Sequence, residues 1–189
     1  NDPELVMVTL LVAPGTTSAS AEVSAHGLLF VVAPGTVPPP QSLTISNAGG
    51  SSLTFQFQAL TTSGGNWLAV SPATGSTAAG PQQLQVSVNP AGLAEGVYRG
   101  RLTGTFSVGT AQEVEVLLVV SSTAAGSSVA ALAAPYLRAA TAFQCQPQSL
   151  ELLATTLGTG LSLPLSWPTV LAALLVDNCG APVGNATLL

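Results

Sequence analysis

The chain has 189 residues, 47% of them hydrophobic and only 6% charged, with three Lys or Arg against eight Asp or Glu and a formal net charge of −5. Three arginines and no lysine cannot neutralise a run of phosphates, which excludes a nucleic-acid binder and weighs equally against an anionic membrane surface. Ionisable groups are also too sparse to furnish an active site, so the composition points to a scaffold.

Nineteen glycines and fourteen prolines punctuate the sequence and favour many short strands and turns. No apolar run approaches the roughly eighteen residues of a membrane-spanning helix. The opening Asn1-Asp-Pro-Glu4 lacks the basic and apolar regions of a signal peptide.

Residues 5–12 read Leu-Val-Met-Val-Thr-Leu-Leu-Val, a β-rich segment closed by Pro14-Gly15. No complementary strand neighbours it in sequence, and a lone strand is unstable. Residues 1–15 are therefore expected to be an orphan strand, either the end of a preceding module or a donor strand. Residues 20–122 read as one complete all-β unit. Residues 28–32 form a short apolar strand ended by Pro34-Gly35, and Pro38 to Pro40 stiffen the approach to the next one. Residues 43–46 and 53–58 alternate apolar and polar positions, the signature of strands with one buried face. Gly64-Gly65 turns into Trp67-Leu-Ala-Val-Ser-Pro72, then residues 84–88 alternate again and turn through Asn89-Pro-Ala-Gly92. Residues 98–106 and 114–120 make a final hairpin. About seven strands with such turn spacing predict an immunoglobulin-like β-sandwich.

In that last hairpin, period two places Tyr98, Leu102 and Phe106 on one face and Arg99 and Arg101 on the other. Val114, Val116 and Leu118 face inward on the partner strand, with Glu113 and Glu115 outward. Cross-strand ion pairs are expected, fixing register and discouraging edge aggregation.

Residues 123–142, rich in Ala, Ser and Gly, read as a linker. From 143 to 189 a second β pattern runs through Leu150-Glu-Leu152, Leu161-Ser-Leu-Pro-Leu-Ser-Trp167-Pro168, residues 171–176, a turn at Asp177-Asn-Cys-Gly180 and a further strand from Asn185. Three or four strands make a second, incomplete β-sandwich unit. Cys145 and Cys179 are the only cysteines and read as a disulfide of an extracellular protein, with two buried free thiols as the alternative. Closing a loop of about 35 residues would stabilise by roughly 4 kcal/mol in the chain-entropy model. Residues 6–12 also echo residues 114–120 at an offset close to one immunoglobulin-like module.

Three stretches, Gln41-Ser-Leu-Thr-Ile-Ser-Asn47, Gly64-Gly-Asn-Trp-Leu-Ala-Val-Ser-Pro72 and Val86-Ser-Val-Asn-Pro-Ala-Gly-Leu93 with Gly96-Val-Tyr98, carry a resemblance. Over residues 25–121 the chain resembles the BACON family of bacterial immunoglobulin-like modules. The piece with Ser166-Trp-Pro168 and Asp177-Asn-Cys-Gly180 resembles the opening half of another bacterial immunoglobulin-like repeat. The resemblance implies a secreted or cell-surface bacterial protein, often built of tandem modules, and carries no catalytic residues over. The family name suggests carbohydrate or mucin binding.

Few residues invite chemistry. His26, the sole histidine, has no recognisable acid or nucleophile motif around it, so it is read as a surface or turn residue. Glu95 lacks the facing carboxylate that a glycosidase needs and is read as a solvated turn residue. Asp177 is read as a turn former. Two cysteines and one distant histidine do not make a metal site. Trp67 and Trp167 are the candidate sugar-stacking platforms, against a core role implied for Trp67 by the resemblance.

The reading is thus a non-catalytic extracellular structural module of a bacterial cell-surface protein, needing no cofactor. It acts as a spacer or assembly subunit whose partners are neighbouring immunoglobulin-like modules or copies of itself. Strand donation through Leu5, Val6, Val8, Leu10 and Val12 would build a filament. The alternative is a carbohydrate-binding or adhesive module whose partners are surface glycans.

Overall fold

The computed structural model describes residues 18–122, 147–155 and 172–183. The linker, Cys145, Trp167 and the segment 5–12 lie outside the described residues. Two sheets form the body. One has four strands in the order β1 (Ala21–Val23), β3 (Gln41–Asn47), β7 (Gln82–Val88), β5 (Leu68–Ser71). The other has five, in the order β2 (Gly27–Val32), β9 (Gln112–Val120), β8 (Gly96–Phe106), β4 (Thr54–Thr61), β6 (Thr74–Ser76). Apart from β6, which follows β5 in the chain and returns to the edge beside β4, this is the A-B-E-D and A′-G-F-C arrangement of an immunoglobulin-like sandwich, with a first strand split between the two sheets. The split strand explains the parallel pairing of β2 with β9 at the edge of an otherwise antiparallel sheet, the one parallel pair among the described residues.

The seven strands legible in the sequence are present, and two three-residue strands join them. Both β1 and β6 are short and poor in large apolar side chains, so periodicity does not mark them. Each is held by its neighbour, β1 on β3 and β6 on β4.

Alternation decides the faces. In β4, Phe55 and Phe57 point inward while Thr54, Gln56 and Gln58 point to solvent. The inner faces of both sheets meet in one core that includes Phe30, Leu43, Ile45, Leu84, Leu102 and Leu118, each at most 2% exposed. Burying each such side chain stabilises by on the order of 1.5–3 kcal/mol. Tyr98, at the start of β8, donates its hydroxyl to the Ala94 carbonyl at 2.9 Å. That bond is the tyrosine corner of immunoglobulin-type sandwiches, and it pins the β7–β8 connection.

Two strands do not alternate. In β2 all six residues from Gly27 to Val32 are apolar, and β9 is apolar without interruption from Val116 to Val120. Such runs belong to strands covered on both faces. The cover is a two-stranded antiparallel sheet, β10 (Leu150–Ala154) with β11 (Ala173–Asp177), stacked on the outer face of the five-stranded sheet. Leu153 and Val176 pack there against Leu29, Leu117 and Val119, all five at most 5% exposed. The described part of the second β unit is therefore a third layer on the first.

Two glycines permit the approach. A Cβ at Gly27 would lie 2.5 Å from the Ala154 carbonyl oxygen, and one at Gly180 would lie 2.5 Å from Val31 Cγ1. Gly180 also has φ +83°, which favours glycine. Beyond β11 the chain turns and runs back beside it. Val176 faces Pro182 in a β-bridge, and the Val183 N–H donates to the Leu175 carbonyl at 2.9 Å. The Asp177 N–H donates to Ala181 at 3.0 Å, so Pro182 sits between two bonded rungs, where its missing N–H is not needed.

Candidate interaction surface

The outer face of the five-stranded sheet divides along β8 and β9. Toward one end, Val97, Leu117 and Val119 lie under the third layer. Toward the other, Arg99, Arg101, Glu113 and Glu115 line an open depression of about 630 Å³ together with Leu60, Thr61 and Thr62. The register sets Arg101 opposite Glu115 and Thr103 opposite Glu113, so each arginine pairs with the diagonal carboxylate. Arg99 bonds Glu115, and Arg101 approaches Glu113 at 3.6 Å. The expected cross-strand ion pairs are present.

Arg99 does more than the hairpin pattern foresees. Its second guanidinium nitrogen bonds Glu151 of β10. Burial opposes the charge on Arg99, but the hydrogen bond to Glu151 and the fields of Glu115 and Glu151 outweigh it and hold its pKa above the ordinary arginine value. The arginine thus clamps the third layer at the line where the apolar half of the sheet gives way to the charged half. Glu151 was not singled out from sequence. Its place between Leu150 and Leu152 in an alternating strand was the available signal, because an acid facing the same way as Leu153 needs a cation beneath it.

The histidine backbone strengthens the same seam. His26 donates its N–H to Thr155 at 3.1 Å, its carbonyl accepts from the Glu115 N–H at 2.8 Å, and its Nδ1 lies 3.3 Å from the Glu113 carbonyl oxygen. The side chain of Glu95 accepts from the Ser122 N–H at 3.1 Å. Asp177 is a turn former, as expected: its Oδ1 accepts from the Cys179 and Ala181 N–H groups, both at 2.9 Å. Among the described residues no group of three or more His, Cys, Asp or Glu is placed to hold a metal ion.

The two tryptophans part company. Trp67 is 3% exposed within the sandwich core, and its Nε1–H donates to the Ser63 carbonyl at 2.9 Å. Both faces of the ring are covered, so it offers no sugar-stacking surface, and the platform reading is corrected for this residue. Trp167 lies outside the described residues, as do Leu5, Val6, Val8, Leu10 and Val12. Cys179 is buried in the turn after β11 and is not a free thiol. Its expected partner, Cys145, lies outside the described residues.

A second surface belongs to the third layer itself. Glu151 and Leu153 face the sandwich, which turns Leu150 and Leu152 away from it. Leu150 is 59% exposed and Leu152 45% exposed. Leu175 lies opposite Leu152, and Val183 is in register with Leu175, so all four share one outward apolar face.

No helix among the described residues is long and apolar enough to cross a membrane. No protein-family model and no curated protein matches the sequence. Solved structures similar to the chain include a PapD-like domain of human CEP192, at TM-score 0.46 and 14% identity over 62% of this chain and 97% of that one. The periplasmic chaperone SfaE is similar at TM-score 0.44 and 11% identity over 87% of this chain and 96% of that one. A Bacteroides ovatus GH5 xyloglucanase is similar at TM-score 0.42 and 19% identity, over 55% of this chain but 20% of that one.

Proposed function

We propose that the chain is a non-catalytic structural module of a bacterial cell-surface protein, working outside the cell as a spacer or assembly subunit. Residues 25–121 would be its BACON-type unit, and a Cys145–Cys179 bridge would close the second β unit on itself. Assembly would proceed by donation of the segment Leu5, Val6, Val8, Leu10, Val12 to a neighbouring copy.

One observation carries this reading. The charged groups on the outer sheet face are engaged in ion pairs, Arg99 with Glu115 and Arg101 with Glu113 inside the sheet, while the second bond of Arg99, to Glu151, fastens the third layer. The layer so fastened presents outward leucines instead of a polar surface. A sheet stacked on a sandwich and apolar on its free side is suited to joining modules.

The test compares the full chain with a variant lacking residues 1–13 by size-exclusion chromatography with multi-angle light scattering. The full chain should associate with rising concentration, and the truncated chain should remain monomeric. An unchanged oligomeric state on truncation removes strand donation.

A further inference from the structure

We infer that the outward face of the third layer, formed by Leu150, Leu152, Leu175 and Val183, is the surface on which the segment 5–12 of a second copy docks. This rests on the assembly reading above and adds to it the acceptor and the direction of assembly.

The order of layers decides which copy supplies the segment. Residue Ser18 leads into β1 at the edge of the four-stranded sheet, where Ser20 accepts from the Ala48 N–H and donates to Asn47. The stack then runs four-stranded sheet, five-stranded sheet, third layer, with the leucine face on the far side. Stacked sheets lie about 10 Å apart, so a strand resting on that face is three spacings, or about 30 Å, from the four-stranded sheet. Residues 13–17 join Val12 to Ser18 and span at most about 22 Å when fully extended. The segment of the same copy cannot reach; that of another copy can.

The chemistry of the two surfaces agrees. Residues 5–12 hold seven apolar side chains and one threonine, without charge. The face is leucine and valine, and Glu151, the charge of β10, is turned the other way and neutralised by Arg99. The donor segment joins the fold at the four-stranded sheet and the acceptor is the far face of the third layer, two different surfaces, so the contact is heterologous. Repeated, it gives an open head-to-tail chain.

Sedimentation velocity on the full chain and its variants tests this. Wild type should show a mass that climbs with concentration. Leu152→Asp and Val8→Asp should each weaken association by at least about tenfold, because either buries an unpaired carboxylate in the contact. An equimolar mixture of the two should restore a species of twice the monomer mass and nothing larger, since one keeps its donor and the other its acceptor. Leu60→Asp, at an exposed leucine on the five-stranded sheet, should associate like wild type. Far-UV circular dichroism and melting of each variant establish that the fold is kept, and Leu150→Asp repeats the acceptor test at a second exposed position. If Leu152→Asp and Leu150→Asp associate normally while Val8→Asp does not, the assembly reading stands and this acceptor is wrong. A mixture that stays monomeric overturns the head-to-tail contact, and a wild type monomeric at every concentration overturns both readings.

Discussion

Trp67 and Arg99 show how much a single side chain decides in a molecule with few polar groups to spare. Trp67 fills the sandwich core and satisfies its only donor on Ser63. Trp67→Ala should cost about 3–5 kcal/mol, read as a fall in urea midpoint with little change in slope. Tyr98→Phe, which removes the bond to Ala94 and keeps the ring, should cost about 1 kcal/mol in the same measurement. Arg99 is different in kind, because its side chain is 40% exposed and water screens its pairs. Arg99→Gln should cost about 1 kcal/mol or less, and less still in molar salt. The sign of its pH dependence follows from the raised pKa. A cation stabilised in the fold contributes fully below its unfolded pKa and loses that contribution only as pH rises through the higher folded value. For an arginine that window lies far on the alkaline side, beyond the range in which the fold is handled, so the cost of Arg99→Gln should be equal at pH 7 and pH 10.

At the scale of elements, the β10–β11 sheet depends on close approach. The contacts at Gly27 and Gly180 leave no room for a methyl group. Gly27→Ala should lift β10 from β2 and speed amide hydrogen exchange across β10 and β11, while the amides of β3 and β7 stay protected. Protection that changes equally everywhere would mean the glycine serves the whole sandwich instead. The uninterrupted apolar runs of β2 and β9 were visible in sequence and carry the signal that both faces are covered. What covers them was not visible, since periodicity reports that a face is buried and not against what. The arginine–glutamate ladder was legible for the opposite reason: β8 and β9 are adjacent hairpin strands, so alternation alone brings the four side chains to one face. Glu151, some fifty residues from Arg99, has no such local rule.

For the whole molecule, the third layer makes the described parts of the chain one stack instead of two independent beads. Leu153 is 1% exposed between the layers and Leu102 is fully buried in the sandwich. Leu153→Ala should cost about 2–5 kcal/mol and lower the same thermal transition that Leu102→Ala lowers. A Leu153→Ala protein whose main transition is untouched would show that the third layer unfolds separately.

The all-β class, the inward and outward faces of β4, β7 and β8, the turn role of Asp177 and the ion pairs of Arg99 and Arg101 were determined by the sequence alone. All of these follow from local rules: alternation, turn chemistry and adjacency along the chain. The parallel pairing of β2 with β9, the docking of β10 and β11 on their outer face, the burial of Trp67 and the second bond of Arg99 were decided only in the tertiary structure. Each depends on segments far apart in the chain meeting across layers, and a one-dimensional pattern records which side of a strand avoids water but not which distant surface supplies the shelter.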